Sequence, residues 1–412
     1  MTKKSKMILP GMTRRQIVKA GLAASVVAAA PGYMRTAGAA TPIKIGIPTV
    51  ITGGYAVLGS HVMRTAKLVK KMKDASGGVL GRPIEFLFKD TQGKPADCVR
   101  KCQELVERDD CRIFTGVVVS SEARAIMPKL DEWNSFFISH GNGDGRLTAE
   151  LLVPNFFRAN TSAPMGARTL ALFLKNAEQN DFYAIGSDYA WGHSSVGAFE
   201  TQIQNVGKNF AGKVFAPVGN KDYSTYITKI MQSNAQGCYV ALQGDEGRAF
   251  YSQAQQYGLA SRVTMVTEIV AQANIRALGK DSVGLTGSSR YPFTYDIPEN
   301  KAFVQRFTEE YPGELPDWSD GEIMQALDIL FTAMEKADST DAKKIVAAME
   351  DLEVTSVKGA TLMRKCDHQG QNQGFVVRVS ESPDYSEPIP KILEIYKRED
   401  VTPKCNSTEY DT

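Results

Sequence analysis

Past residue 40 the sequence has no apolar run approaching the ~20 residues that a bilayer-spanning helix needs, so the processed chain is not expected to span a membrane. Histidine is scarce: His61, His140, His193 and His368 are scattered, and the six cysteines show no zinc-type spacing. No metal or other cofactor is therefore expected. Several catalytic signatures are absent as well. There is no Gly-x-Ser-x-Gly elbow, no Gly-x4-Gly-Lys-Ser/Thr loop and no His-Glu-x-x-His. The loop after the first strand-like run, Thr52-Gly53-Gly54-Tyr55-Ala56-Val57-Leu58-Gly59, lacks the dinucleotide spacing. Carboxylates are too numerous, at 46, for any pair to stand out. No catalytic constellation is visible and no enzyme is expected, the rival readings being an exported enzyme or a sensory receptor subunit. Fixed-period repeats and low-complexity tracts are also missing.

The first 40 residues lack acids altogether but carry seven bases, Lys3, Lys4, Lys6, Arg14, Arg15, Lys19 and Arg35. Arg14-Arg15 precede the uncharged run Ala20–Ala30 and then Ala37-Gly38-Ala39-Ala40. Paired arginines before a short apolar run and small residues predict a twin-arginine export leader over 1–40, cut near Ala39 or Ala40. The expected location is the periplasm. Without the leader, 372 residues remain, enough for two domains that each bury a core. Of the 48 basic residues 41 remain against 46 acids, so the formal charge moves from +2 to −5. No clustered basic face is left to recruit nucleic acid.

All six cysteines fall after the leader, and export permits disulfides. Cys98 and Cys102, four apart on a helical pattern, put their Cβ atoms ~5–6 Å apart, whereas a disulfide wants about 3.5–4.5 Å. Cys102 with Cys111, and Cys366 with Cys405, are the pairings left open. Cys238 lies in an apolar run and reads as a small core residue.

From Ile43 onward short β-rich runs alternate with amphipathic helical patterns. Strands are predicted at 43–47, 84–89, 112–119, 136–139, 182–186, 238–242, 264–266 and 283–286. Helices are predicted at 62–74, 96–107, 122–133, 165–176, 194–206, 223–233 and 246–257. Alternation of this kind builds βαβ units, that is, an α/β fold of doubly wound parallel sheets. The rhythm breaks near Phe157–Pro164 and Ser288–Pro298, after which helical patterns run through 299–311, 320–336 and 342–351 and strand-like ones through 374–379 and 392–397. Two lobes follow, with ligand sites expected beyond the carboxyl ends of their strands.

Several loops at those ends carry binding chemistry. Ser120-Ser121-Glu122 follows Val117-Val118-Val119; hydroxyls and free N–H groups there could cradle a carboxylate, or a serine could simply cap the helix. Gly141-Asn142-Gly143-Asp144-Gly145 reads as a turn that lets a ligand approach closely. Tyr189 and Trp191, in Asp188-Tyr189-Ala190-Trp191-Gly192, are either buried staples or cleft walls. Glu268, between two apolar pairs, is either a partner for a ligand ammonium or an acid favoured by a helix dipole; local sequence alone favours the second.

These pieces arrive in a recognisable order: Ile43–Ile47, Thr52–Tyr55 with Leu58-Gly59, Gly77-Gly78-Val79-Leu80-Gly81-Arg82-Pro83-Ile84, Asp90-Thr91-Gln92, Gly116–Ser121, Ile138-Ser139, Gly186–Tyr189 with Gly192, Lys221–Tyr223, Gln255–Leu259 and Cys366–Gln369. Over essentially all of its length after the leader the chain resembles type I periplasmic solute-binding proteins of ABC importers, in the leucine/isoleucine/valine-binding family. The resemblance implies two lobes joined by three crossovers, the first from 41–160 and 289–368, the second from 161–288 and 369–412. It implies that a small ligand, an amino acid or related carboxylate, is captured between the lobes and handed to a membrane permease. Carried over by position, Ser120 and Ser121 match the turn that holds the ligand carboxylate, and Gly141, Asn142 and Gly143 the next strand-end loop. Gly143 stands where amino-acid binders often offer a threonine hydroxyl. Tyr55 lies in the first cleft loop, Trp191 (beside Tyr189) matches a cleft aromatic, and Gln243 falls where some members have another. Glu268 matches the acid that pairs with an amino acid's ammonium. These departures keep branched-chain amino acids, other amino acids or amides, and aromatic carboxylates all open as ligands.

Overall fold

A computed structural model describes residues 40–410. Of the export leader expected over 1–40, residues 1–39 lie outside the described residues. The first lobe is built on β1 (Ile43–Thr49), α1 (Ala56–Ala75), β2 (Ile84–Asp90), α2 (Pro95–Asp109), β3 (Ile113–Phe114), α3 (Ser120–Ile126), β4 (Phe136–Ser139) and β5 (Phe156–Arg158). Its five strands form a parallel sheet in the order β2-β1-β3-β4-β5. The chain then crosses into α4 (Ala163–Leu174), β6 (Asp181–Ser187), α5 (Ala190–Asn205), β7 (Asn209–Ala216), α6 (Ser224–Gln232), β8 (Gly237–Ala241), α7 (Gly244–Gln256), β9 (Thr264–Thr267), α8 (Gln272–Leu278) and β10 (Thr286–Ser289).

After β10 it returns through α9 (Pro298–Glu310), α10 (Trp318–Ala337) and α11 (Ala342–Met349). Of these, α10 packs on α1, and α10 and α11 both cover β4. An antiparallel ribbon follows, β11 (Leu352–Ser356), β12 (Gly359–Met363) and β13 (Gly370–Gln371). A third crossing leads to β14 (Gly374–Ser380) and β15 (Ile389–Tyr396), which add antiparallel strands to the second sheet, ordered β15-β14-β10-β9-β8-β6-β7. The helix α12 (Arg398–Val401) comes near the end. Two mainly parallel sheets with helices over them and three crossings are the expected α/β architecture. Strands buried on both faces read as continuous apolar runs, which is why the sequence shows them.

The differences have local causes. The strand expected over 112–119 shrinks to Ile113–Phe114, because Gly116 takes φ +82°. A Cβ there would sit 2.4 Å from Ile47 Cγ2, so only glycine lets the chain turn against β1. The strand expected over 283–286 moves to Thr286–Ser289, behind Gly284 at φ +93°. Strand β7 escaped the sequence reading because it is an edge paired only with β6 and only its last residue, Ala216, is buried, so it shows no continuous apolar run. Cys366 and Cys405 are bridged, with Cα atoms 5.9 Å apart. Cys102 and Cys111 are not: both are free and buried. Asp110, in the left-handed region at φ 48°, closes α2, and the Cys111 thiol turns toward the Ile113 carbonyl at 3.6 Å. Burial pushes that thiol up to about 12.

Neither Ser120 nor Ser121 caps α3. Glu122 does, accepting the Val119 N–H at 3.4 Å. The Glu122 side chain is fully buried, and burial raises its carboxyl from 4.5 to about 7, with Asp90 and Asp97 adding to the rise. The folded chain thus holds a proton there that the unfolded chain releases, a contribution complete below 4.5 and lost as pH climbs through 7. Glu122→Gln keeps the capping acceptor. It should match the parent at pH 4.5 and exceed it at pH 8 by roughly 2–3 kcal/mol in urea unfolding; equal gains at both pH values would refute the assignment.

Candidate functional site

The loops leaving the strands' carboxyl ends meet between the two sheets. From the first lobe come Val50–Tyr55 after β1, Val119-Ser120 after β3 and His140–Asp144 after β4; from the second, Tyr189 and Trp191 after β6, Gln243–Glu246 after β8, Glu268 after β9 and Arg290 after β10. Contacts across the gap are direct. The Tyr55 hydroxyl donates to Glu246 Oε1 at 3.0 Å, and Glu246 also accepts from Ser187 and from the Gly219 N–H at 2.7 Å. The Gly145 N–H donates to Ser194 Oγ at 2.9 Å. Tyr55, Tyr189 and Trp191 form a chain of rings with centroids 6.0 and 5.9 Å apart. The two lobes are therefore closed on each other.

Glu268 lies at the middle, 1% exposed. Its Oε1 accepts from Arg290 Nη2 at 2.8 Å and from Trp191 Nε1 at 3.3 Å, and its Oε2 accepts from Ser195. Arg290 is itself buried, and its Nη1 donates to the Gly141 carbonyl at 2.9 Å. One guanidinium thus ties the second lobe's acid to the first lobe's loop. Gly143 makes this possible: a Cβ there would fall 2.4 Å from Arg290 Nη2 and 2.5 Å from Trp191 Cδ1.

The other expected residues divide around this centre. Ser120 Oγ accepts the N–H groups of Gly143 and Asp144 at 3.1 and 3.2 Å, so it shapes the Gly141–Asp144 loop. Asn142 Oδ1 accepts from Ser139 Oγ at 2.8 Å while its Nδ2 has no protein partner. Gln243 Nε2 donates to the Ile269 carbonyl at 3.1 Å and leaves its Oε1 unpartnered. Ser121 is separate, lining a hollow of about 340 Å³ with Arg124, Met127 and Leu151. A larger hollow of about 700 Å³ is bordered by Gln236, Arg262 and Thr264, at the opposite ends of the second sheet's strands. Charges and unpartnered polar atoms converge between the lobes instead, and we place the site there.

Sequence reasoning missed Arg290, Ser195, Glu246 and His140. Arg290 was within reach: it follows a strand in the Ser288–Pro298 break, as Glu268 follows one. His140 is fully buried with both ring nitrogens unpartnered, and burial, reinforced by the Arg290 charge, lowers it to about 3. It is therefore neutral, with one N–H to give and one nitrogen to accept. Next to this centre, Lys358 and Glu322 form a fully buried pair at 3.0 Å. Burial lowers the lysine and raises the acid. Among the described residues, the one acid–cysteine cluster close enough to hold a metal ion is Cys366, Asp367 and Cys405, and its two thiols are joined in the disulfide.

Residues 42–384 match the family described as periplasmic binding protein. The chain belongs to that family. This periplasmic binding protein is similar to the Leu/Ile/Val-binding protein homolog 6 of Brucella suis, 23% identical over 356 residues that cover 84% of this chain and 88% of that one. Among solved structures it shares its fold with a solute-binding protein of an ABC transporter from Rhodopseudomonas palustris in complex with 3,4-dihydroxybenzoic acid. That match has a TM-score of 0.81 and 19% identity over 87% of this chain and 98% of the other. A leucine-, isoleucine-, valine-, threonine- and alanine-binding protein from Brucella ovis in a closed conformation gives a TM-score of 0.80 at 19% identity, covering 89% and 98%.

Proposed function

We propose that this periplasmic binding protein is the substrate-binding subunit of an ABC importer. In this reading it is exported through the twin-arginine route, closes its lobes on a small solute in the periplasm and presents the closed form to a permease. The observation that carries the reading is the set of buried polar groups, Glu268, Arg290, His140, Asn142 and Gln243, gathered where two lobes meet through Tyr55–Glu246 and Arg290–Gly141. Two faces that shut out water strengthen each polar contact to whatever lies between them, and hinge closure is how such lobes trap a ligand. Those groups bind and orient; no nucleophile is paired with a base among them, so the reading includes no reaction.

The Brucella relative favours a branched-chain or related amino acid, with Glu268 receiving the ammonium and the Ser120 turn the carboxylate. The Rhodopseudomonas neighbour favours an aromatic carboxylate, with Tyr55, Tyr189 and Trp191 lining the wall. Thermal-shift screening against amino acids, amides and aromatic acids tests the reading. Ligand at 100 times its dissociation constant adds ~2.7 kcal/mol, so the true class should raise the midpoint by several degrees. An amino-acid ligand should lose this shift in Glu268→Ala. No shift from any class would overturn the receptor reading.

A further inference from the structure

We propose that Arg290 is the anchor for a carboxylate on the solute, and that Glu268 holds and orients Arg290 instead of pairing with a solute ammonium. The inference rests on the receptor reading and narrows it: the ligand is a small organic carboxylate without an α-ammonium group.

Three observations meet here. Glu268 is already neutralised and hydrogen-bonded. Both its oxygens are engaged, by Arg290, Trp191 and Ser195, in a place 1% exposed. An arriving ammonium would have to evict the guanidinium and leave it buried without its counter-charge, which is costly. Arg290, in contrast, has capacity to spare. Of its five N–H donors, one serves Glu268 and one Gly141, while Nε is buried with no partner.

Other unpartnered donors lie near it. Trp318 Nε1 is unpartnered, and its ring lies 5.4 Å from the Arg290 guanidinium carbon. Asn142 Nδ2, on the loop that Arg290 contacts at Gly141, and the neutral His140 add N–H groups. Unpartnered acceptors also occur on the surrounding elements, Gln243 Oε1, Gln272 Oε1, Glu322 Oε2 and Gln325 Oε1 among them. A fixed guanidinium with an unpartnered Nε suits an acceptor-only group, and a planar carboxylate matches the arginine fork.

The third observation is steric. The space that any side chain at Gly143 would need is filled by Arg290 Nη2 and Trp191, so the missing Cβ is what admits the guanidinium between the lobes. Trp191 and Tyr189 then offer an aromatic wall to the body of the solute.

The test is calorimetry and thermal shift on the purified protein with four probes: benzoate, 4-methylpentanoate, leucine and 3-methylbutylamine. The last three share one carbon frame and carry a carboxylate alone, both groups, or an amine alone. Binding is expected from one or both carboxylates and not from leucine or the amine. Arg290→Gln should weaken the bound carboxylate about 100-fold, and Arg290→Lys, which keeps the charge but not the fork, about tenfold. Glu268→Gln, which removes the partner that orients Arg290, should change carboxylate affinity by less than Arg290→Gln does. The double variant Glu268→Gln/Arg290→Gln removes both buried charges, so it keeps the test open should Arg290→Gln alone not fold; it too should lose the carboxylate. Leucine binding that disappears in Glu268→Gln, with both carboxylates silent, overturns the inference and leaves the receptor reading intact. Silence from all four probes also overturns it, and the receptor reading is then decided by the wider screen.

Discussion

Arg290→Met should lower the unfolding free energy by about 3–5 kcal/mol, the usual consequence of removing one partner of a buried ion pair. Glu268, 1% exposed, would keep only Trp191 and Ser195 as donors, and its charge would be uncompensated. The Gly141 carbonyl would also lose a donor at 2.9 Å that crosses from one lobe to the other. The double variant Arg290→Met/Glu268→Gln should recover most of the loss, because the cost arises from a stranded charge more than from the missing attraction. Urea unfolding of the two singles and the double measures this coupling. If the double were as unstable as Arg290→Met, the pair would not be the source of the cost.

Lys358→Met should have a comparable effect, again about 3–5 kcal/mol. Lys358 Nζ donates to Glu322 Oε1 at 3.0 Å and Thr161 Oγ1 at 3.2 Å, and all three residues are buried. The Thr161 N–H also reaches Glu322 Oε1, at 3.4 Å. The pair therefore pins the first crossing between the sheets to α10 and to the turn joining β11 and β12. Burial already pushes lysine and acid toward their neutral forms, so Glu322 alone would take up a proton sooner than remain charged. Lys358→Met/Glu322→Gln should restore most of the stability. A loss below about 1 kcal/mol for the single variant, within the range of exposed pairs, would show the pair to be solvated in solution.

These two pairs mark the limit of what was legible beforehand. The fold was readable because parallel strands covered on both faces leave unbroken apolar runs, and helices between them leave a 3.6-residue stripe. Phe136–Ser139 is predicted to the residue, and the order of strands and helices through β10 is predicted apart from β5, β7 and α8. Strand β7 was not readable, since an edge strand with mixed burial, Asn209–Ala216, carries neither signal. Of the two pairings left open, Cys366–Cys405 is bridged and Cys102–Cys111 is not; how Asp110 ends α2 and where the Cys111 thiol points are not revealed by spacing.

The site shows the same division. Glu268, Trp191 and the Gly141–Gly143 loop stand out because they leave strands at the ends where doubly wound sheets bind ligands. What Glu268 faces could not be read in that way. Arg290 is 22 residues away in sequence, and it reaches Glu268 only because β9 and β10 pair side by side. Its second contact, to Gly141, is 149 residues away and exists only when the lobes meet.

The sequence alone determined the alternation of elements, the lack of catalytic motifs and the strand ends as the place to look, because these depend on local periodicity and chain direction. Only the tertiary structure decided that the acid at Glu268 meets a guanidinium, and that Gly143 makes room for it. Side-chain pairing across two lobes depends on distances that no spacing along the chain encodes.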